Sequence, residues 1–262
     1  MTDQERQDSG NAAGIPAATV VIFRHAPDGG APQILMQVRN RALAFAGGMA
    51  VFPGGRVDPS DRDLAGGLDA ADEDEAAHRI AAIRETLEET GLALGLRGEI
   101  DAQLAEQARA MLLREEALGP VLKRFGWSLA LDDFVPFARW FPKNERLSRI
   151  FDTRFYLADV GTGAVDIAVD AGENTRLFWT SASDALAAAD RGEIDLIFPT
   201  RRNLERLAPF ASFAEARQHA EATPVRTIMP WVEDRPEGRC LCIPADCGYP
   251  VCSVPLSDTK RG

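Results

Sequence analysis

The sequence has no long hydrophobic run and no cluster of basic residues, and each absence excludes a class of protein. A transmembrane helix needs about 20 consecutive apolar residues, and the 262 residues contain no uncharged apolar stretch of that length. Nucleic-acid-binding proteins carry clustered Lys and Arg. This chain has only 29 of these residues against 40 Asp and Glu, which gives a net charge of −11. Neither a membrane nor a nucleic acid is therefore expected as a partner.

Cysteine is also scarce, with 4 residues that all lie near the carboxyl end, at Cys240, Cys242, Cys247 and Cys252. Their spacing, C-x-C-x4-C-x4-C, lacks the paired C-x2-C units of structural zinc sites. We therefore expect reduced thiols. A zinc site and a disulfide are the two alternatives.

The amino-terminal stretch Met1 to Asn11 is polar and lacks the apolar core of a secretion signal. We expect a cytoplasmic protein in which residues 1–15 are disordered. A hydrophobic content of 45% can supply a substantial core. Residues 16–262 are therefore predicted to form one domain with a helical and extended carboxyl-terminal extension.

The most informative segment is Arg84-Glu85-Thr86-Leu87-Glu88-Glu89-Thr90-Gly91-Leu92. Glu85, Glu88 and Glu89 are spaced i, i+3 and i+4, so a helix places all three carboxylates on one face. Like charges at this spacing destabilise a helix, and a hard divalent cation such as Mg²⁺ or Mn²⁺ would offset the repulsion. The alternative is an ordinary solvated acidic helix.

About thirty residues upstream, an extended apolar run ends in Phe52-Pro53-Gly54-Gly55-Arg56-Val57. Pro-Gly-Gly is a turn signal, and glycine allows the backbone to come close to a metal ion or a phosphate. A glycine loop followed by an acidic helix therefore predicts a site for a metal ion with a phosphorylated ligand.

These two segments together resemble the Nudix box, G-x5-E-x7-R-E-U-x-E-E-x-G-U, in which U is a bulky aliphatic residue. Thr86 replaces one aliphatic residue, and the first glutamate of the box falls on Asp61. Twenty-two residues separate Asp61 from Arg84, where the box has seven. The box is thus interrupted by an insertion, and its acidic, small-residue composition predicts a surface loop at 62–76.

The resemblance implies the Nudix fold, an α+β architecture in which a mixed β-sheet lies between helices. It also implies Mg²⁺ or Mn²⁺ as cofactor, with Glu88, Glu89 and the Gly54 carbonyl as ligands. Glu85 takes the position of a further ligand or general base. Arg84 would orient the glutamates through charge-assisted hydrogen bonds. Some family members add a distant carboxylate, for which Asp170 and Glu173 are candidates.

The alternation of apolar and polar residues, together with turn signals, predicts the remaining strands and helices. Strands are expected at 17–23, 33–39, 134–141, 151–158 and 176–180. A helical insertion is expected at about 100–126, and further helices at 183–191, 200–207 (with Thr200 as N-cap) and 213–221. Extended segments are expected at 225–254, and a loop at 142–148.

The stretch from Leu35 to Gly55 resembles the segment L-L-T-x-R-S-x-x-L and G-x-x-x-F-P-G-G of the coenzyme A diphosphatases in the Nudix family. The coinciding residues are Leu35, Arg39, Leu43, Gly48, Phe52, Pro53, Gly54 and Gly55, whereas Met36, Gln37 and Asn40 depart. The resemblance implies that Arg39 and Phe52 contact the substrate, with Arg39 on a phosphate. The alternative is that Phe52 is core and Arg39 a surface charge.

A wider resemblance, over roughly residues 17 to 207, is to a subgroup of acyl-CoA diphosphatases whose box is also interrupted. It includes the segments Pro136–Trp140 and Phe151–Phe155. It suggests Arg154, or else Arg139, as a phosphate-binding or strand-pairing residue. Trp140 and Trp179 are equal candidates for stacking on an adenine.

The resulting prediction is metal-dependent hydrolysis of a diphosphate bond in a small nucleotide substrate. The leading substrate is coenzyme A or acyl-CoA, which would give adenosine 3′,5′-bisphosphate and (acyl-)phosphopantetheine. One alternative is a pyrophosphatase for ADP-ribose or a dinucleotide. Another is a non-catalytic Nudix-fold binding module, which the three retained box glutamates disfavour. The resemblance also implies a homodimer.

Overall fold

The computed structural model describes residues 14–40, 46–142, 150–161, 174–236 and 238–259. Residues 1–13 of the predicted disordered terminus, residues 143–148 of the predicted loop, and the candidates Asp170 and Glu173 lie outside these ranges. Among the described residues, none of the helices combines the length and hydropathy needed to span a bilayer.

In the described residues, four strands precede the first helix, and the later strands and helices occur in short runs. The strands are β1 (Ile15–Arg24), β2 (Gln33–Arg39), β3 (Ala50–Val51), β4 (Gly54–Arg56), β5 (Leu96–Arg97), β6 (Ser128–Leu129), β7 (Val135–Trp140), β8 (Phe151–Asp159), β9 (Asn174–Ser181), β10 (Thr227–Ile228), β11 (Trp231–Arg235), β12 (Gly238–Cys242) and β13 (Ser253–Pro255). The α-helices are α1 (Pro59–Gly66), α2 (Glu73–Thr90), α3 (Ala102–Glu115), α4 (Leu118–Phe125), α5 (Ala182–Asp190), α6 (Phe198–Leu207) and α7 (Phe213–Ala222).

The main sheet has eight strands and is mixed, with the path β10-β7-β8-β1-β2-β3. Strand β1 runs parallel to β8 and antiparallel to its other neighbours. Its amino-terminal half pairs with β4, and its carboxyl end pairs with β2. Strand β9 pairs with the other side of β2. This arrangement brings the Pro-Gly-Gly turn beside the middle of the sheet.

Alternating side chains on β1 divide the core into two layers, as the two-residue period of a strand requires. Ala18, Val20 and Ile22 pack with α2, α3 and α4 on one face. Val21 and Phe23 pack with α5, α6 and α7 on the other. A mixed sheet between two helical layers confirms the predicted α+β class. The helical stretch predicted at 100–126 is divided into α3 and α4.

The region predicted as a surface loop at 62–76 differs in the structure. Helix α1 covers residues up to Gly66, and α2 already begins at Glu73. Asp58 and Pro59 start α1, because the Asp61 carboxylate accepts the Asp58 N–H at 2.9 Å and proline favours a first helical position. These local signals outweigh the acidic, small-residue composition that suggested a loop.

The carboxyl-terminal residues form β10 at the edge of the main sheet and a separate three-stranded sheet, β11-β12-β13. None of the four cysteines is paired in a disulfide. Upstream of this sheet, helix α6 begins at Phe198 after Ile197, so the prediction of Thr200 as its N-cap is wrong. Pro199 stands in the first turn, where its missing N–H costs no hydrogen bond.

Candidate active site

Helix α2 carries the acidic segment, and its two ends follow simple capping rules. The Asp72 side chain accepts the Glu75 N–H at the amino end. Gly91 takes the left-handed conformation at the carboxyl end and donates its N–H to the Leu87 carbonyl. Because Leu87 is fully buried, the helix orientation is fixed and the neighbouring glutamates face β4.

Glu89 lies at the junction of helix, turn and sheet, with only 2% of its surface exposed. Its carboxylate accepts the Gly54 N–H at 2.7 Å. Both of its oxygens also accept from the Gln37 Nε2 atom on β2, each at 3.0 Å. The predicted meeting of the glycine turn with the acidic helix is thus formed through Glu89.

Arg84 is buried in the centre of this constellation and holds the acidic groups in place. Its Nη1 atom donates to Glu85 at 2.9 Å and to Glu88 at 3.0 Å. Its Nε and Nη2 atoms donate to Asp61 at 3.0 Å each, and Nη2 also donates to the Arg56 carbonyl at 2.9 Å. This geometry fits the predicted orienting role.

Asp61, which occupies the position of the first box glutamate, is 1% exposed and reaches Arg84 across 23 positions of sequence. The insertion in the box therefore does not separate its two halves in space. Sequence reasoning aligned Asp61 with the box but did not assign it a role. Gln37 entered only as a departure from the coenzyme A segment, and its contact with Glu89 was not foreseen.

The two glycines of the turn are closely enclosed. Gly54 has φ +150°, and a Cβ atom there would lie 2.3 Å from the Ala18 carbonyl oxygen. A Cβ on Gly55 would lie 2.2 Å from the Glu85 Oε1 atom. Only glycine brings the backbone this close to the carboxylates, which explains the Gly-Gly pair in chemical terms.

These contacts predict different outcomes for two alanine substitutions. Gly54→Ala meets backbone atoms and adopts an unfavourable φ, so the free energy of unfolding should fall by about 3 kcal/mol or more. Gly55→Ala meets the movable end of Glu85, so the protein should stay folded while activity falls about 100-fold, because Glu85, which the family resemblance assigns as a ligand or general base, is displaced. Thermal denaturation and steady-state kinetics would check both. Equal stability losses in the two variants would contradict this assignment.

The electrostatics of the site show a shortage of positive charge. In the described residues, the ion pairs of Asp61, Glu85 and Glu88 all go to Arg84. Burial raises the pKa of Glu85 well above its usual range against the pull of Arg84, and Glu89 and Glu88 raise it further. Burial also raises the pKa of Glu88, again opposed by Arg84. A divalent cation would supply the missing charge.

The donor set fits a hard cation such as Mg²⁺ or Mn²⁺, since it consists of carboxylate oxygens and a glycine-lined backbone. Within the described ranges, no group of three or more His, Cys, Asp or Glu side chains is arranged as a formed metal cluster. Glu85 and Glu88 accept hydrogen bonds from Arg84, while Glu89 accepts them from Gln37 and Gly54.

Of the predicted substrate-binding residues, Arg39 lies at a surface cleft, whereas Phe52 lies in the core. Arg39 lines a cleft of about 540 Å³ at the end of β2, together with Arg176, Glu193 and Asp195. Its Nε atom is buried and makes no hydrogen bond within the described ranges. Phe52 is 2% exposed and packs in the core, so the structure does not support a contact of its ring with a substrate.

Arg154 points to the start of α2 and pairs with Asp74 and with Glu75, at 2.6 Å from the latter. Glu75 precedes Glu85 by ten residues, which is about 15 Å along a helix. Arg154 thus joins β8 to α2, away from the glutamates. Arg139 makes a two-pronged pair with Asp152 on the neighbouring strand, at 2.8 and 2.6 Å, which matches the strand-pairing alternative.

The two tryptophans that are candidates for adenine stacking differ in how exposed they are. Trp140 is 1% exposed and donates to the Tyr249 hydroxyl, so it belongs to the core. Trp179 is half-buried on β9, and the Arg24 guanidinium lies 4.4 Å from its ring centroid. Of the two, only Trp179 keeps surface that a ligand could reach.

Comparison with solved structures places a Nudix hydrolase among the proteins that this chain resembles. A Nudix hydrolase from Alicyclobacillus acidocaldarius superposes with a TM-score of 0.69 at 29% sequence identity, over 79% of this chain and 96% of that protein. No protein-family model matches the chain, and no curated protein matches it. The likeness to the Alicyclobacillus hydrolase extends over nearly the whole length of that protein, as its 96% coverage shows.

Two other solved structures are more distant. An Ap4A hydrolase from C. elegans, solved as a binary complex, gives a TM-score of 0.37 at 19% identity over 68% of this chain and 88% of its own. The Nudix domain of NrtR from Shewanella oneidensis, solved with ADP ribose, gives 0.39 at 14% identity over 78% and 96%. At these scores neither structure bears on the substrate of this chain.

Proposed function

We propose that this chain, a diphosphatase with the Nudix fold, hydrolyses the diphosphate of coenzyme A or of an acyl-CoA. The products would be adenosine 3′,5′-bisphosphate and (acyl-)phosphopantetheine. The observation that carries the reaction class is the junction at which Glu89, Gly54 and the Arg84-linked glutamates meet. The choice of coenzyme A as substrate is based on the coenzyme A segment of the sequence and on the position of Arg39.

The site residues divide the chemical tasks. A divalent cation held by Glu88, Glu89, Glu85 and the Gly54 carbonyl would neutralise phosphate oxygens and acidify a water molecule. Arg84 keeps the glutamates oriented and is itself held by Asp61. Glu85 lies against Gly55 of the glycine turn, and Arg84 holds its carboxylate at 2.9 Å, so it faces the place where the cation and its water would bind. We assign Glu85 as ligand or general base on this ground.

The position of Arg39 in the fold favours the proposal that the substrate carries a phosphate. It follows Gln37 by two positions on β2, so its Cα lies about 7 Å from that of the residue that contacts Glu89. Arg39 borders a cleft that a second arginine, Arg176, also lines. A guanidinium in this position can form paired hydrogen bonds with a phosphate.

The substrate is tested by chromatography of reaction products with Mg²⁺ or Mn²⁺. Coenzyme A, acetyl-CoA, ADP-ribose, NADH and diadenosine polyphosphates would each be offered. Release of adenosine 3′,5′-bisphosphate from the CoA compounds is the expected result. Preferential cleavage of ADP-ribose or a dinucleotide would contradict the CoA proposal and leave the diphosphatase intact. No turnover of any compound would favour a binding module.

Arg39→Ala should raise KM for the preferred substrate about 10–100-fold, because a charge-assisted hydrogen bond to a phosphate is lost. The value of kcat should change much less, since the metal-binding residues are untouched. Arg114→Ala, at an exposed arginine of α3, is the control and should behave like the unaltered enzyme. An unchanged KM in Arg39→Ala would assign Arg39 to the scaffold.

A further inference from the structure

Gln37 occupies an unusual environment for an amide. It lies on β2 with 0% of its surface exposed, and its Nε2 atom is 3.0 Å from each oxygen of Glu89, 52 positions away. The amide orientation follows from chemistry, since an ionised carboxylate can only accept hydrogen bonds. The nitrogen must therefore face Glu89.

The opposite atom of the same amide, Oε1, is buried without a hydrogen-bond partner in the described part of the chain. A buried acceptor without a partner destabilises a fold. Neighbouring β2 residues Leu35 and Met36 are fully buried and apolar. A methionine at position 37 would fill a similar volume without an orphaned oxygen, so packing alone does not explain the glutamine.

We propose that Gln37 is a positioning residue for metal binding, which holds the Glu89 carboxylate beside Gly54. Nε2 and the Gly54 N–H contact the carboxylate from two separate elements, β2 and the glycine turn. Together they fix its orientation before a cation arrives. The inference depends on the proposed function only in that Glu89 is taken as a metal ligand. It does not depend on which diphosphate is cleaved.

The test is calorimetric titration with Mn²⁺ alone, without any substrate. Gln37→Met should bind Mn²⁺ about 10-fold or more weakly, because loss of a partner that orients a metal ligand typically costs 10–100-fold in affinity. Gln33→Met is the matched control on the same strand, since Gln33 pairs with Arg24 instead. It should bind Mn²⁺ like the unaltered protein. Gln37→Asn, which keeps an amide but is too short to reach, should resemble Gln37→Met.

Two readouts separate positioning from a purely structural role. The rise in melting temperature that Mn²⁺ causes should shrink in Gln37→Met, whereas a structural role would lower the melting temperature equally with and without metal. In a Glu89→Gln background, Gln37→Met should weaken Mn²⁺ binding no further, since its effect acts through Glu89.

Unchanged Mn²⁺ affinity in both Gln37 variants would overturn the proposal. So would an equal loss in Gln33→Met, or a full additional loss in the Glu89→Gln background. If the unaltered protein binds Mn²⁺ through Glu89 but cleaves no diphosphate, the proposed function fails while the role of Gln37 stands. If it binds no Mn²⁺, both fail.

Discussion

Glu89→Gln is expected to lower kcat by at least about 1,000-fold. This exceeds the 10–100-fold typical of residues that only support a metal ligand, because the change removes the charge at the junction of helix, turn and sheet. A glutamine there also turns an amide group toward the Gly54 N–H and the Gln37 Nε2 atom, both of which are donors. Steady-state kinetics with saturating Mg²⁺ would measure the loss.

Two further variants make this result interpretable. Glu73→Gln changes an exposed glutamate at the start of the same helix and should leave kcat unaltered. Glu88→Gln changes a partly exposed glutamate, 18% exposed in its side chain, and should lower kcat strongly while the protein remains folded. Full activity in both Glu89→Gln and Glu88→Gln would exclude these carboxylates from the reaction.

Arg84→Met is expected to have the largest effect on stability, a loss of about 3–5 kcal/mol in the free energy of unfolding. The cost arises because Asp61, at 1% exposed, would be left as a buried carboxylate without its cation. Glu85 and Glu88 would lose the same partner. Urea denaturation monitored by circular dichroism would give the change.

Two further variants serve as controls for Arg84→Met: one removes an exposed ion pair, and the other also removes the buried carboxylate that Arg84 neutralises. Arg97→Ala removes an exposed pair with Asp133 and should cost less than about 1 kcal/mol. The double variant Arg84→Met with Asp61→Asn should recover part of the loss, because the unpaired buried charge is also removed. Similar losses in Arg84→Met and Arg97→Ala would show that the buried network does not hold the site together.

Much of the acidic helix could be predicted from sequence because its determinants are local. The i, i+3 and i+4 spacing of the glutamates sets their common face, and Gly91 marks the helix end. Strand β2 follows from its alternation over 33–39 and coincides with the structure. These features depend on residues that are close together in the sequence.

The features that sequence reasoning missed depend on tertiary contacts. The contact of Gln37 with Glu89 requires β2 to lie under the carboxyl end of α2, which no local pattern specifies. Phe52 matched a family segment, yet it faces the core once β3 pairs with β2. Arg154 was considered for phosphate binding, but the start of α2 supplies two carboxylates that neutralise it.

The α2 glutamates and the glycine turn are proposed to form a metal-dependent diphosphatase site. The most direct test is turnover of coenzyme A and ADP-ribose in ¹⁸O-labelled water with Mg²⁺, followed by mass spectrometry of the products. The expected result is cleavage of at least one compound, with one ¹⁸O atom in one of the two phosphate products and no label in Glu89→Gln. Cleavage at an unaltered rate in Glu89→Gln, or after the metal is chelated, would contradict a metal-dependent site at these residues.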